Sequence, residues 1–98
     1  MLRAYLLSYD IADPKRLRLM HRLAKAYGKP LQYSVFTCML RRDQRVRLAQ
    51  RIDALIDLKK DRVVILDLGY VEDRESWLPP IETFGRQTVE PDKPVVIV

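Results

Sequence analysis

Along this chain the spacing of apolar positions changes period several times, and each change marks an element. Leu2-Arg3-Ala4-Tyr5-Leu6-Leu7-Ser8-Tyr9 alternates too little for one solvent-facing side and predicts a buried strand, which ends on a carboxylate, Asp10. Asp13-Pro14 then opens a helix. Asp13 can cap the free amide groups of the first turn, and Pro14 suits the first helical position, where its missing N–H has no partner. Leu17, Met20, Leu23, Ala24 and Tyr27 recur at helical spacing and predict a helix to about Tyr27 that stops at Gly28. Leu31 to Leu40, rich in aromatic and β-branched types, predicts an extended run. A second helix is expected from about Asp43 to Asp57, burying Leu48, Ala49, Ile52, Leu55 and Ile56, followed by a strand from Arg62 to Tyr70. Pro79, Pro80, Pro91 and Pro94 make the remainder mostly loop, closing on a short strand candidate, Val95-Val96-Ile97-Val98.

That order is α+β, with two helices able to cover one face of a sheet, as in the ferredoxin-like βαββαβ fold. Four strands are needed, so residues 31–41 must supply two of them, although no Gly, Pro, Asn or Asp marks a turn between Leu31 and Leu40. The 98 residues suit one domain, 1–98, with a core over about 1–70 and an extension over about 71–98. At this size a homodimer would cover apolar surface that a monomer leaves wet. No apolar run approaches the roughly 20 residues that cross a bilayer, and no signal peptide is visible, so no membrane association is expected. Cys38 is the lone cysteine, which excludes an intrachain disulfide and a cysteine-based zinc site within one chain, and the expected location is cytoplasmic.

Charge sharpens the picture because it is unevenly spread. Met1 to Arg51 carries 12 Lys or Arg against 3 Asp, whereas Ile52 to Val98 carries 6 against 10 acidic residues. A basic half points to a polyanion partner, most often nucleic acid. Within the first helix Lys15, Arg18, Arg22 and Lys25, with Lys29 beyond it, follow one another in steps of three or four and form a stripe of mutually repelling charges. Lys15, Arg16, Arg18, Arg22, Lys25, Arg41 and Arg42 are the candidate phosphate contacts.

Candidate chemistry centres on Asp10, since a strand that delivers an acid at its C-terminal edge presents a metal ligand on a rigid support. Magnesium takes oxygen ligands and often only one or two carboxylates from protein. One Asp10 is a weak site, but a two-fold axis at the strand end would bring two together, and the metal held there could polarise a phosphodiester and activate water. A second reading makes Asp10 a residue that bonds nearby amides at the helix start. Asp13 reads as a cap, and His21 as a surface or packing residue with no adjacent acid to orient it. Ser34 has no histidine partner, so a hydrolytic triad is unsupported. Tyr5, Tyr9, Tyr33 and Phe36 read as core or interface rather than as base-stacking platforms, because no two of them are arranged with Lys or Arg.

Tyr9-Asp10-Ile11 followed by Asp13, then Lys15-Arg16-Leu17-Arg18, Tyr27-Gly28 and Gln32-Tyr33-Ser34-Val35-Phe36-Thr37-Cys38, resemble the second CRISPR-associated protein family, the small dimeric subunit of spacer acquisition in antiviral defence. The resemblance spans roughly residues 1–70. It implies a ferredoxin-like homodimer, a C-terminal strand that pairs with the partner's sheet, and Mg2+ held between two copies of Asp10. It also implies association with the CRISPR integrase, and metal-dependent cleavage of RNA or double-stranded DNA that members possess to differing degrees. One position departs: Pro30, preceded by Lys29, stands where members usually carry Arg. The leading expectation is a magnesium-dependent endonuclease with Asp10 as ligand and catalytic acid residue. A non-catalytic dimeric scaffold on duplex DNA is the alternative, and an RNA-cleaving toxin of related fold is more remote.

Overall fold

A computed structural model describes residues 1–86, so the strand candidate at 95–98, and any pairing it makes with a partner, lies outside the described residues. The elements follow in the order β1 (Arg3–Asp10), α1 (Pro14–Tyr27), β2 (Lys29–Gln32), β3 (Val35–Leu40), α2 (Arg42–Leu55) and β4 (Arg62–Tyr70). The four strands form one antiparallel sheet in the order β2-β3-β1-β4, and the two helices lie together on one of its faces. This is the α+β, ferredoxin-like arrangement expected from the element order.

Helix α1 has the expected bounds. Asp13 caps it by accepting from the Arg16 amide at 2.9 Å, and that bond, its largest influence, holds the Asp13 carboxyl below the usual carboxylate range. Gly28 ends the helix for a reason other than left-handed backbone, since its φ is −158°. A Cβ at this position would run into the Thr37 carbonyl oxygen and Cys38 Sγ, so close approach of α1 to β3 demands glycine. Helix α2 starts one residue earlier and ends two earlier than expected, and its first turn is closed by the Arg41 amide donating to Gln44 Oε1 at 2.9 Å.

Leu31 to Leu40 divides at Tyr33-Ser34, which connects β2 to β3 with Gln32 facing Val35. No Gly, Asn or Asp signals this break, for a physical reason. Primed two-residue turns need positive φ, and among the described residues only Gly69 and Gly85 adopt it, so this hairpin turns without one. The register slips between Pro30 and Gln32 instead. Pro30 is tolerated because β2 is the sheet edge. Gly69, at φ 105°, accompanies a second irregularity, where β4 shifts register against β1 between Ala4 and Tyr5.

The core lies between sheet and helices. Tyr5, Leu7 and Tyr9 of β1 and Phe36, Cys38 and Leu40 of β3 meet Met20, Leu23 and Ala24 of α1 and Leu48 and Ile52 of α2. Burial pushes the Cys38 thiol up to about 11, which makes it a packing group rather than a nucleophile. The expectation that β1 is buried on both sides is corrected: Leu6 and Ser8 are only half-buried and Asp10 is exposed. On β4, Val63 and Ile65 pack on the core while Val64 and Leu66 remain 44% and 53% exposed on the other face. The sheet therefore has one covered and one open apolar face among the described residues.

Candidate functional site

Asp10 is the last residue of β1 and lies opposite Arg62, the first of β4. Strand alternation turns Tyr9 toward the helices and Asp10 toward the open face. Its carboxylate is exposed and makes no hydrogen bond or ion pair among the described residues, so the helix-start reading, in which Asp10 bonds nearby amides, is not the arrangement found. That work falls to Asp13 and Asp61. Asp61, just before β4, accepts from the Ala12 amide at 2.9 Å and from the Asp57 amide at 2.8 Å. Its second function is to hold Arg16, whose Nε and Nη2 donate to it at 2.7 and 3.2 Å. The Asp61 side chain is fully withdrawn from solvent, and the Arg16 hydrogen bond is the largest influence holding its carboxyl well below the usual range. One carboxylate thus ties together the loop after Asp10, the first turn of α1 and the loop after α2. Nothing in the sequence singled it out.

The basic candidates do not form one surface. Arg16 is turned into the fold by Asp61 and is largely spent on structure, a different employment from the phosphate contact expected of it. Arg41 and Arg42 are exposed but follow Leu40, which pairs with Arg3 at the start of β1. Asp10 ends that strand, so they stand about 20 Å from it by strand rise. Lys29 has left the helix and lies in β2. Lys15, Arg18, Arg22 and Lys25 are exposed on α1, and the last three line one cleft of about 390 Å³ with Leu17, His21, Tyr9 and Tyr33. The reading that no two aromatic residues are arranged with Lys or Arg is therefore corrected for Tyr9 and Tyr33. The β2–β3 hairpin folds Tyr33 back toward α1, a juxtaposition with no local signature.

A magnesium ion often takes one or two carboxylates from protein, and each chain can supply the first. No cluster of three or more His, Cys, Asp or Glu occurs among the described residues, and each chain offers the exposed carboxylate of Asp10. That is a hard oxygen donor free of competing partners among the described residues, but a single one.

A family model described as CRISPR associated protein Cas2 matches residues 3–75. The chain belongs to the Cas2 family. It is 43% identical over 90 residues, 88% of each chain, to the CRISPR-associated endoribonuclease Cas2 1 of Rhodospirillum rubrum. It is 33% identical over 82 residues, 84% of this chain and 83% of the other, to the CRISPR-associated endoribonuclease Cas2 of Geobacter sulfurreducens. Among solved structures, a hypothetical protein of Thermus thermophilus superposes with a TM-score of 0.74 at 29% identity, over 91% of this chain and 98% of that one. Streptococcus pyogenes Cas2 does so with a TM-score of 0.66 at 31% identity, over 84% of this chain and 99% of the other. The Cas2 match includes all four strands and both helices, and so every element that presents Asp10 and the cleft. No helix among the described residues is long and apolar enough to cross a membrane.

Proposed function

We propose that this Cas2 chain is a magnesium-dependent endonuclease, hydrolysing phosphodiester bonds of RNA or double-stranded DNA, that works as a cytoplasmic homodimer with the CRISPR integrase in spacer acquisition. The observation that carries the reading is the exposed carboxylate of Asp10 on the same open sheet face as Leu6, Val64 and Leu66. A second copy seated on that apolar face would cover it and bring two Asp10 carboxylates toward one axis, a pair that suits a Mg2+ ion. When bound, the ion would polarise a phosphoryl oxygen and lower the pKa of a coordinated water. Lys15, Arg18, Arg22 and Lys25 run along α1 from the Asp10 end and would fix the phosphate backbone by charge. Relatives named as endoribonucleases support the nuclease reading. Asp10→Asn should cut Mg2+-dependent cleavage of RNA or duplex DNA by about a hundredfold or more while the dimer stays folded, and EDTA should abolish it in the parent protein. Cleavage that survives both treatments refutes the proposal.

A second reading is a non-catalytic scaffold that holds the integrase on duplex DNA. The single carboxylate per chain favours it, as does the separation of Arg41 and Arg42 from Asp10, which suits a long duplex better than one scissile phosphate. It requires integration to proceed normally with Asp10→Asn and duplex binding to fall steeply with salt.

A further inference from the structure

The cleft beside α1 contains more than phosphate binding needs. Three cations, Arg18, Arg22 and Lys25, line it, and no carboxylate does. Tyr33 stands at its rim with 80% of its surface exposed, a large aromatic ring that contributes little to the core. Its ring lies 6.2 Å from that of His21, which packs edge-on against buried Phe36 at 5.6 Å. The His21 ring is therefore held in place rather than free, and Tyr9 fixes it further: the Tyr9 hydroxyl and His21 Nδ1 are 2.9 Å apart. Burial raises the Tyr9 pKa, which keeps a protonated hydroxyl beside the imidazole ring. The cleft thus sets three cations beside a fixed imidazole ring and an exposed π face.

An inorganic anion would use the cations but not the ring. A duplex would use the cations but keeps its base faces stacked inside. A nucleotide of an unpaired strand uses both, since it joins a flat π face to a phosphate. A volume of about 390 Å³ also falls within the range of small-ligand pockets. We propose that this cleft binds one nucleotide of a single-stranded nucleic acid, with the base stacked on Tyr33 and the phosphate held by Arg18, Arg22 and Lys25. The inference rests on the nucleic-acid-handling part of the function above but not on cleavage, because Tyr9 and Asp10 face opposite sides of β1.

The test measures binding in EDTA of a short single-stranded oligonucleotide carrying 2-aminopurine, and of a duplex of the same sequence, to the full-length parent, Tyr33→Ala and Tyr33→Phe. Tyr33 is exposed at a turn, so neither change threatens folding. Tyr33→Ala should weaken single-strand binding about tenfold and abolish 2-aminopurine quenching, leave duplex affinity within about twofold, and Tyr33→Phe should restore both properties. Single-strand binding unchanged in Tyr33→Ala, or weakened only as much as duplex binding, overturns the nucleotide cleft and leaves the proposed nuclease standing. A parent protein that binds neither oligonucleotide overturns both.

Discussion

The two faces of the sheet carry nearly the same kinds of residue and have opposite fates. On the helix side Tyr5, Leu7, Tyr9 and Phe36 are buried, Phe36 completely. On the other side Leu6 is half-buried, while Val64 and Leu66 stay exposed beside Asp10. Hydropathy alone does not distinguish Leu7 from Leu6 or Ile65 from Leu66. The difference teaches that one apolar face makes the fold while the other stays open among the described residues, and the proposed chemistry stands at the edge of that open face.

The largest effect that separates the faces belongs to Phe36→Ala, which should cost about 3–5 kcal/mol in denaturant unfolding, because it empties a fully packed site beneath Tyr9 and His21. Leu66→Lys should leave the unfolding of a single chain within about 0.5 kcal/mol of the parent. Its consequence should appear in sedimentation, as dimer dissociation shifted by about tenfold or more. A dimer that ignores Leu66→Lys breaks the assignment of the open face.

Smaller effects test the two acids at the shared end of β1 and β4. The folded state holds Asp61 well below its ordinary pKa, whereas the unfolded chain protonates it near about 4. Below that pH the unfolded state takes up a proton that the native state refuses, so the contribution of Asp61 is present above about 4 and is lost as pH falls through its folded value. Asp61→Asn should therefore lower the melting temperature at neutral pH and make its decline between about pH 4 and 2 shallower than in the parent. Asp10, without such partners among the described residues, should cost almost nothing in melting temperature when changed to Asn, so that any loss of cleavage is chemical. The smallest expected change is in Lys15→Ala, which should reduce the salt dependence of duplex binding by about one counterion while leaving sequence preference alone.

Much of this was legible in the chain because it is local. Asp13, Pro14 and the three-to-four spacing of Leu17, Met20, Leu23 and Ala24 act within one helical turn, and α1 formed with the expected bounds. The strand from Arg62 to Tyr70 and the exposed acid at the end of β1 were equally plain. The β2–β3 turn was less so, because it avoids the positive φ that would have required Gly or Asn.

By itself, then, the sequence determined the elements, their order, the basic half and an acid delivered at a strand end, since period, capping and charge are written in neighbouring residues. Only the tertiary structure decided which cations remain free. Arg16 meets Asp61 across 45 positions of chain, and Arg41 and Arg42 are carried to the far end of the sheet by β3. Folding likewise gathered Tyr9, His21 and Tyr33 around one cleft. Partnerships of this kind depend on strand register and on how helices settle over a sheet, and no spacing rule within a single element encodes them.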